Sequence, residues 1–170
     1  MASPATSPTR APRRVVAAAL AVLVGLTIAS GSAQAATGGA DPGWRAEMLR
    51  TVNALRAQAG VDPLEPCPSL RRAAQGYARV MAATGTFDHI GPDGTAPWDR
   101  MRAQGFQWQA AAENIARGQT SVQSVMQAWV ASPGHAANLV DPRMTKVGFG
   151  FAPSPRGGYW VQNFGTGTGC

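Results

Sequence analysis

Few side chains in this chain can do chemistry: two histidines, two cysteines and nine carboxylates in 170 residues. Imidazoles ligate metals or move protons near neutral pH. His89 lies in Phe87-Asp88-His89-Ile90-Gly91-Pro92 and His135 in Ser132-Pro133-Gly134-His135, so both sit at loop or helix-start positions close to Gly or Pro. A histidine so placed is more often a hydrogen-bonded loop residue than a ligand, and no HExxH or CxxC spacing argues otherwise. A serine nucleophile at Ser132 with His135 as its base has little support. Three residues across Pro133-Gly134 do not direct Oγ onto the imidazole, and no nucleophile-elbow pattern is present.

The two cysteines, Cys67 and Cys170, are expected to pair if the chain is exported into an oxidising compartment. Such a bond closes a 104-residue loop, and chain entropy puts its contribution at about 4 to 5 kcal/mol as an upper bound. The other reading makes Cys67 a small buried hydrophobe and Cys170 a frayed thiol.

Export is itself readable. Arg10, Arg13 and Arg14 precede a 15-residue apolar run, residues 15–29, and Ala33-Gln34-Ala35 supplies a small-x-small cleavage pattern. The run is shorter than the roughly 20 residues that span a bilayer, which predicts a signal peptide at 1–35, a secreted product and no transmembrane anchor after processing. Twelve basic and nine acidic residues follow position 35, a net charge of +3, and Arg71-Arg72 is their only adjacent basic pair. Nucleic acid is therefore not an expected partner. With 45% hydrophobic and 14% charged residues, the composition fits one globular domain rather than a disordered chain or a multidomain enzyme.

The elements that must carry these residues follow from periodicity. After a flexible leader at 36–43, Asp41-Pro42 suits a helix start. Trp44, Met48, Val52, Leu55 and Ala59 make one apolar face, and Gly60 suits a left-handed end. Pro63 to Pro68 reads as a connection. Ser69 reads as the cap of a second helix faced by Leu70, Ala73, Ala74, Tyr77 and Met81 and ending near Gly85. Phe87 and Ile90 are expected to anchor the His89 loop, and Trp98 and Met101 to lie on the core side of a short third helix. Glu113-Asn114-Ile115 reads as a strand. A capping box at Thr120–Gln123 opens a helix carrying Val122, Val125, Met126 and Trp129, and Pro133-Gly134 ends it. Val147, Phe149 and Phe151 alternate with Gly148 and Gly150. With the alternating run at 159–164 they predict a β-hairpin, and the whole reads as an α+β fold of helices packed on a small antiparallel sheet.

Phe87-Asp88-His89, Glu113-Asn114-Ile115, Trp129 followed by Ser132-Pro133-Gly134-His135 and Ala137-Asn138-Leu139, and Gly158-Tyr159-Trp160-Val161-Gln162-Asn163-Phe164-Gly165 together resemble the CAP superfamily. It groups cysteine-rich secretory proteins, antigen 5 and plant pathogenesis-related proteins, and the likeness is to its short bacterial extracellular branch. It covers residues 48–165 and implies a three-layer α-β-α sandwich over 44–170. The cleft it implies is lined by His89, Glu113 and His135, where two imidazoles and a carboxylate can hold a divalent ion such as zinc. The sequence departs from the pattern at Ser132, where relatives carry a Glu, and at Ala112, where many have Gly.

The resemblance implies a non-catalytic binding module for an unidentified lipid, small-molecule or protein ligand, with no required cofactor. The alternative is a metal-dependent hydrolase of peptide or ester bonds, with His89 and His135 on the metal and Glu113 as general base. Glu113 cannot be both a needed ligand and a free base, so Asp88 would have to substitute. A third reading makes the cluster a structural polar network. Trp98, Phe106 and Trp108 are candidates to line a groove or to fill the core.

Overall fold

The computed structural model describes residues 43–170. The predicted signal peptide and the leader up to residue 42 lie outside them. Five helices and four strands follow in order: α1 (Trp44–Gln58), β1 (Glu65–Pro66), α2 (Pro68–Thr84), α3 (Pro97–Ala103), β2 (Gln107–Arg117), α4 (Val122–Val130), α5 (Pro133–Leu139), β3 (Lys146–Ser154) and β4 (Gly157–Thr168). Among the described residues no helix is long and apolar enough to cross a membrane.

The sheet runs β1-β3-β4-β2. The predicted hairpin is β3–β4, and β2 pairs antiparallel with β4 along nearly its whole length. The sheet is not wholly antiparallel, because β1 pairs parallel with β3. The proline-broken connection forms this strand because Glu65 N–H donates to Thr145 O (3.0 Å) and Cys67 N–H to Val147 O (2.8 Å). Pro66, lacking an N–H, falls between them.

Side-chain alternation along β4 separates two cores. Trp160 and Phe164 face α1, α4 and α5, where Trp44, Met48, Val52, Val125 and Trp129 are buried. Tyr159 and Val161 face α2, with Ala74, Tyr77 and Met81. Leu70, Met101 and Phe106 continue that layer toward α3. Helices thus cover both faces, as the α-β-α expectation requires. On β3 the glycines admit α2: a Cβ on Gly148 would lie 2.1 Å from Arg71 N, and one on Gly150 2.2 Å from Ala74 O.

Among the described residues no strand flanks β3 beyond Val147 on the β1 side, and side chains occupy that margin. Arg45 Nε donates to Phe149 O (3.3 Å), and Gln75 both donates to Phe151 O (2.7 Å) and accepts from Phe151 N–H (3.4 Å). Cys67 and Cys170 are disulfide-bonded, with Cα atoms 4.9 Å apart, which decides between the two cysteine readings.

Several local expectations change. The N-cap of α1 is Gly43, the expected start at Asp41-Pro42 lies outside the described residues, and Gly60 takes a left-handed φ of 70°. Leu55 is half-buried and Ala59 exposed. Cys67 caps α2, while the Ser69 hydroxyl, two residues further on, donates to Gly169 O. The box opening α4 is Ser121 with Ser124, shifted by one residue. Trp98 is 47% exposed rather than core. Phe106 is fully buried, and Trp108 is half-buried beneath Arg102.

The charged residue Arg56 is fully buried on α1. Its guanidinium donates to four carbonyls, those of Asp62 (2.7 Å), Leu139 (3.1 Å), Asp141 (3.1 Å) and Met144 (2.9 Å). Five donors in a fixed fork suit this task. One side chain thereby joins the end of α1 to the segment that follows α5.

Candidate functional site

The site is organised by two consecutive residues of β2. Successive strand side chains point to opposite faces, so Glu113 faces α2 while Asn114 faces α4 and α5. Glu113 sits opposite Asn163, and Asn114 opposite Gln162, on β4.

On the first face Glu113 Oε1 lies 2.9 Å from His89 Nδ1. Arg100 Nη2 reaches both carboxylate oxygens, at 3.2 and 2.9 Å. The Asn163 amide satisfies its neighbours in one orientation, with Nδ2 donating to Glu113 Oε2 (3.2 Å) and Oδ1 accepting from Ala74 N–H (3.1 Å). The Glu113 side chain is 2% exposed and that of His89 49%, so a buried carboxylate holds an imidazole that still meets solvent.

Arg100 also fixes the loop. It donates to Thr95 O (2.7 Å) and His89 O (3.0 Å) and stacks 3.4 Å over the Tyr77 ring. The Tyr77 hydroxyl in turn donates to Asp88 O. Phe87 and Ile90, expected as anchors, are 43% and 46% exposed. The loop is held by polar contacts instead.

On the second face Asn114 Nδ2 donates to His135 O (3.2 Å) and to Gln162 Oε1 (3.2 Å), while its Oδ1 accepts from Asn138 (2.9 Å). Asn114 therefore sets where α5 begins and with it the half-buried His135. The two imidazoles come within electrostatic reach of each other. Burial first, and the charge of His89 second, lower the His135 pKa. His89 is raised, chiefly by its hydrogen bond to Glu113, with burial opposing.

Other candidates hold local roles. Asp88 Oδ1 accepts from Ile90 N–H (2.8 Å), as a turn residue does. Ser132 is the N-cap of α5 without a side-chain capping bond, and its carbonyl accepts from Ala136 N–H (2.8 Å). Among the described residues no three His, Cys, Asp or Glu side chains converge as a metal-binding group. Glu113 does not fit as a third ligand, because Arg100, His89 and Asn163 already take its oxygens. It fits the outer shell of a metal site, where a carboxylate on Nδ1 presents the other ring nitrogen, Nε2, of His89.

Sequence reasoning missed Arg100 and Asn163. Arg100 carries no signal beyond being one of fourteen arginines. Asn163 stood in the motif that included Glu113's partner strand, without a role.

The family model described as the cysteine-rich secretory protein family, CAP, matches residues 49–164. YkwD of Bacillus subtilis (strain 168) is 34% identical over 118 residues, 69% of this chain and 45% of that protein. An extracellular protein containing an SCP domain from Bacillus anthracis str. Ames superposes with a TM-score of 0.66 at 25% identity, covering 71% of this chain and 39% of that one. An outer surface protein from Borrelia burgdorferi also gives a TM-score of 0.66, at 24% identity, covering 73% of this chain and 92% of that one. The chain spans less than half the length of the curated relative it matches.

Proposed function

The chain belongs to the cysteine-rich secretory protein (CAP) family, and on that premise we propose that it is an exported, non-catalytic binding module whose ligand or divalent metal is taken at His89 and His135. The observation that carries this reading is the state of Glu113. Its carboxylate is buried and bonded by Arg100, His89 and Asn163, so it serves as the support of His89. A general base needs a carboxylate free to accept a proton from water or substrate. Asp88, the substitute, is committed to its own turn.

Export is supported by the signal-like segment at 1–35 and by relatives described as extracellular or outer surface proteins. The two histidines suit different protonation states, since one is raised and the other lowered. A divalent ion such as zinc would use His89 Nε2 and the His135 imidazole and would supply a Lewis-acidic anchor for a ligand oxygen. With only two protein ligands, the remaining positions belong to water or to the ligand, which makes the affinity modest.

Calorimetric titration of zinc into the chelator-stripped full chain, beside the His89→Ala/His135→Ala double variant, tests the reading. Micromolar binding that disappears in the double variant is expected. Absence of binding, or binding that survives in the variant, removes the metal from this site. Turnover of peptide or ester substrates that vanishes in Glu113→Gln would replace the binding module with the hydrolase.

A further inference from the structure

Arg71-Arg72, the one adjacent basic pair after position 35, does not stand alone in three dimensions. Arg45 from α1 and Arg71, Arg72 and Arg79 from α2 line a single surface pocket of about 260 Å³, together with Gln75 and Gly76 and without any carboxylate. Arg72 and Arg79 lie seven residues apart on one helix, a span of about 10 Å at 1.5 Å per residue. Gly76, between them, has nothing within 4 Å of where a Cβ would stand, so the floor is open.

Two of the four arginines are held in place and two are free to close on a ligand. Arg45 bonds Phe149 O and Gln75, and Arg72 bonds Gln104 O (2.9 Å) and Ser69 Oγ (3.2 Å). The guanidinium groups of Arg71 and Arg79 have no hydrogen-bond or ion-pair partner among the described residues; both residues are exposed. The cluster is self-repelling. After burial, Arg71 and Arg79 are the causes that lower the Arg45 pKa. Four like charges collected without a counter-ion favour a multiply charged anion, and guanidinium forks match phosphoryl oxygens two at a time.

We propose that Arg45, Arg71, Arg72 and Arg79 form an anion-binding site for a ligand carrying adjacent phosphoryl groups, of the pyrophosphate type. A single phosphate engages one or two forks, whereas the two-turn separation of Arg72 and Arg79 suits linked phosphates that meet guanidinium groups from both ends. The site borders the β3 margin, shares no lining residue with the Glu113 centre, and does not rest on the binding-module reading.

The test is calorimetric titration of the full chain with inorganic pyrophosphate and tripolyphosphate, with inorganic phosphate for comparison, at low and at physiological ionic strength. Binding of pyrophosphate at least tenfold tighter than phosphate is expected, weakening with salt, and a further tenfold or greater loss is expected in Arg71→Gln/Arg79→Gln. That variant removes no internal contact and relieves part of the cluster's repulsion, so its melting temperature without ligand does not fall below the wild-type value. Arg50→Gln/Arg156→Gln, which removes the same charge elsewhere, keeps wild-type affinity, as does His89→Ala/His135→Ala. ADP binding like pyrophosphate, with adenosine inert, would identify a nucleotide as one source of the group. No binding at millimolar pyrophosphate, or equal losses in the two arginine pairs, overturns the proposal.

Discussion

His89 Nδ1 and Glu113 Oε1 lie 2.9 Å apart, one on a solvent-facing loop and the other buried in the middle of a strand. Glu113 is thus the fixed partner and His89 the presented one. Replacing Glu113 by Gln leaves the Arg100 guanidinium, 12% exposed, without its counter-charge. Breaking such a buried pair costs about 3 kcal/mol. Urea unfolding should show that loss, and proton NMR should show the His89 pKa falling toward the ordinary imidazole value of about 6.5.

The two histidines should titrate in a fixed order. The raised His89 pKa adds stability that is complete below about pH 6.5 and is lost as pH rises through its folded value. The lowered His135 pKa works the other way: nothing is lost above about pH 6.5, and stability declines as pH falls through its folded value. With only two imidazoles in the chain, NMR resolves both curves, and His135 gaining its proton before His89 would contradict the geometry described.

Gly148→Ala should be far costlier than an ordinary surface change. The added methyl would meet the α2 backbone at Arg71 N (2.1 Å) and Leu70 C (2.2 Å), and a helix backbone cannot turn aside as a flexible side chain can. Overpacking of this kind costs about 3 kcal/mol. A chemical denaturation midpoint close to wild type would show that α2 does not press on β3 as described.

Arg56→Met keeps much of the side-chain volume but removes the donors for four carbonyls. Unsatisfied buried acceptors cost about 1 to 3 kcal/mol each, so a loss of about 3 kcal/mol is expected even after partial relaxation. Faster hydrogen exchange in residues 139–144 would localise the effect. Arg56→Lys should recover only part, since an ammonium has three donors and no planar fork.

Much of the scaffold was legible because its signals are local. The Gly–aromatic alternation marked β3, the alternating run at 159–164 marked β4, and apolar spacing marked α1, α2 and α4. Gly85, at the end of α2, takes a left-handed φ of 75°. His89, Glu113 and His135 were visible through motifs that are each short. What could not be read is set by partners far along the chain. Arg56 looks like a polar interruption of an apolar face until the carbonyls of Leu139 and Met144 arrive to accept its hydrogen bonds. Ser69 resembles a cap until Gly169 takes its hydroxyl. Arg100 acquires its role only when Glu113 and Tyr77 are brought to it from two other elements. Trp98 sits at an ordinary helical spacing, and nothing local reveals that its side of α3 faces water.

The unpaired margin of β3 has a bearing on how the molecule behaves in a crowd. A bare strand border offers a ready template on which a second copy can lay down its own backbone and begin an aggregate. Arg45 already occupies the Phe149 carbonyl and Gln75 both backbone groups of Phe151, and the neighbouring positive charges repel a like-charged copy. The same few side chains that outline an anion pocket therefore also act as a guard that keeps the sheet from growing between molecules.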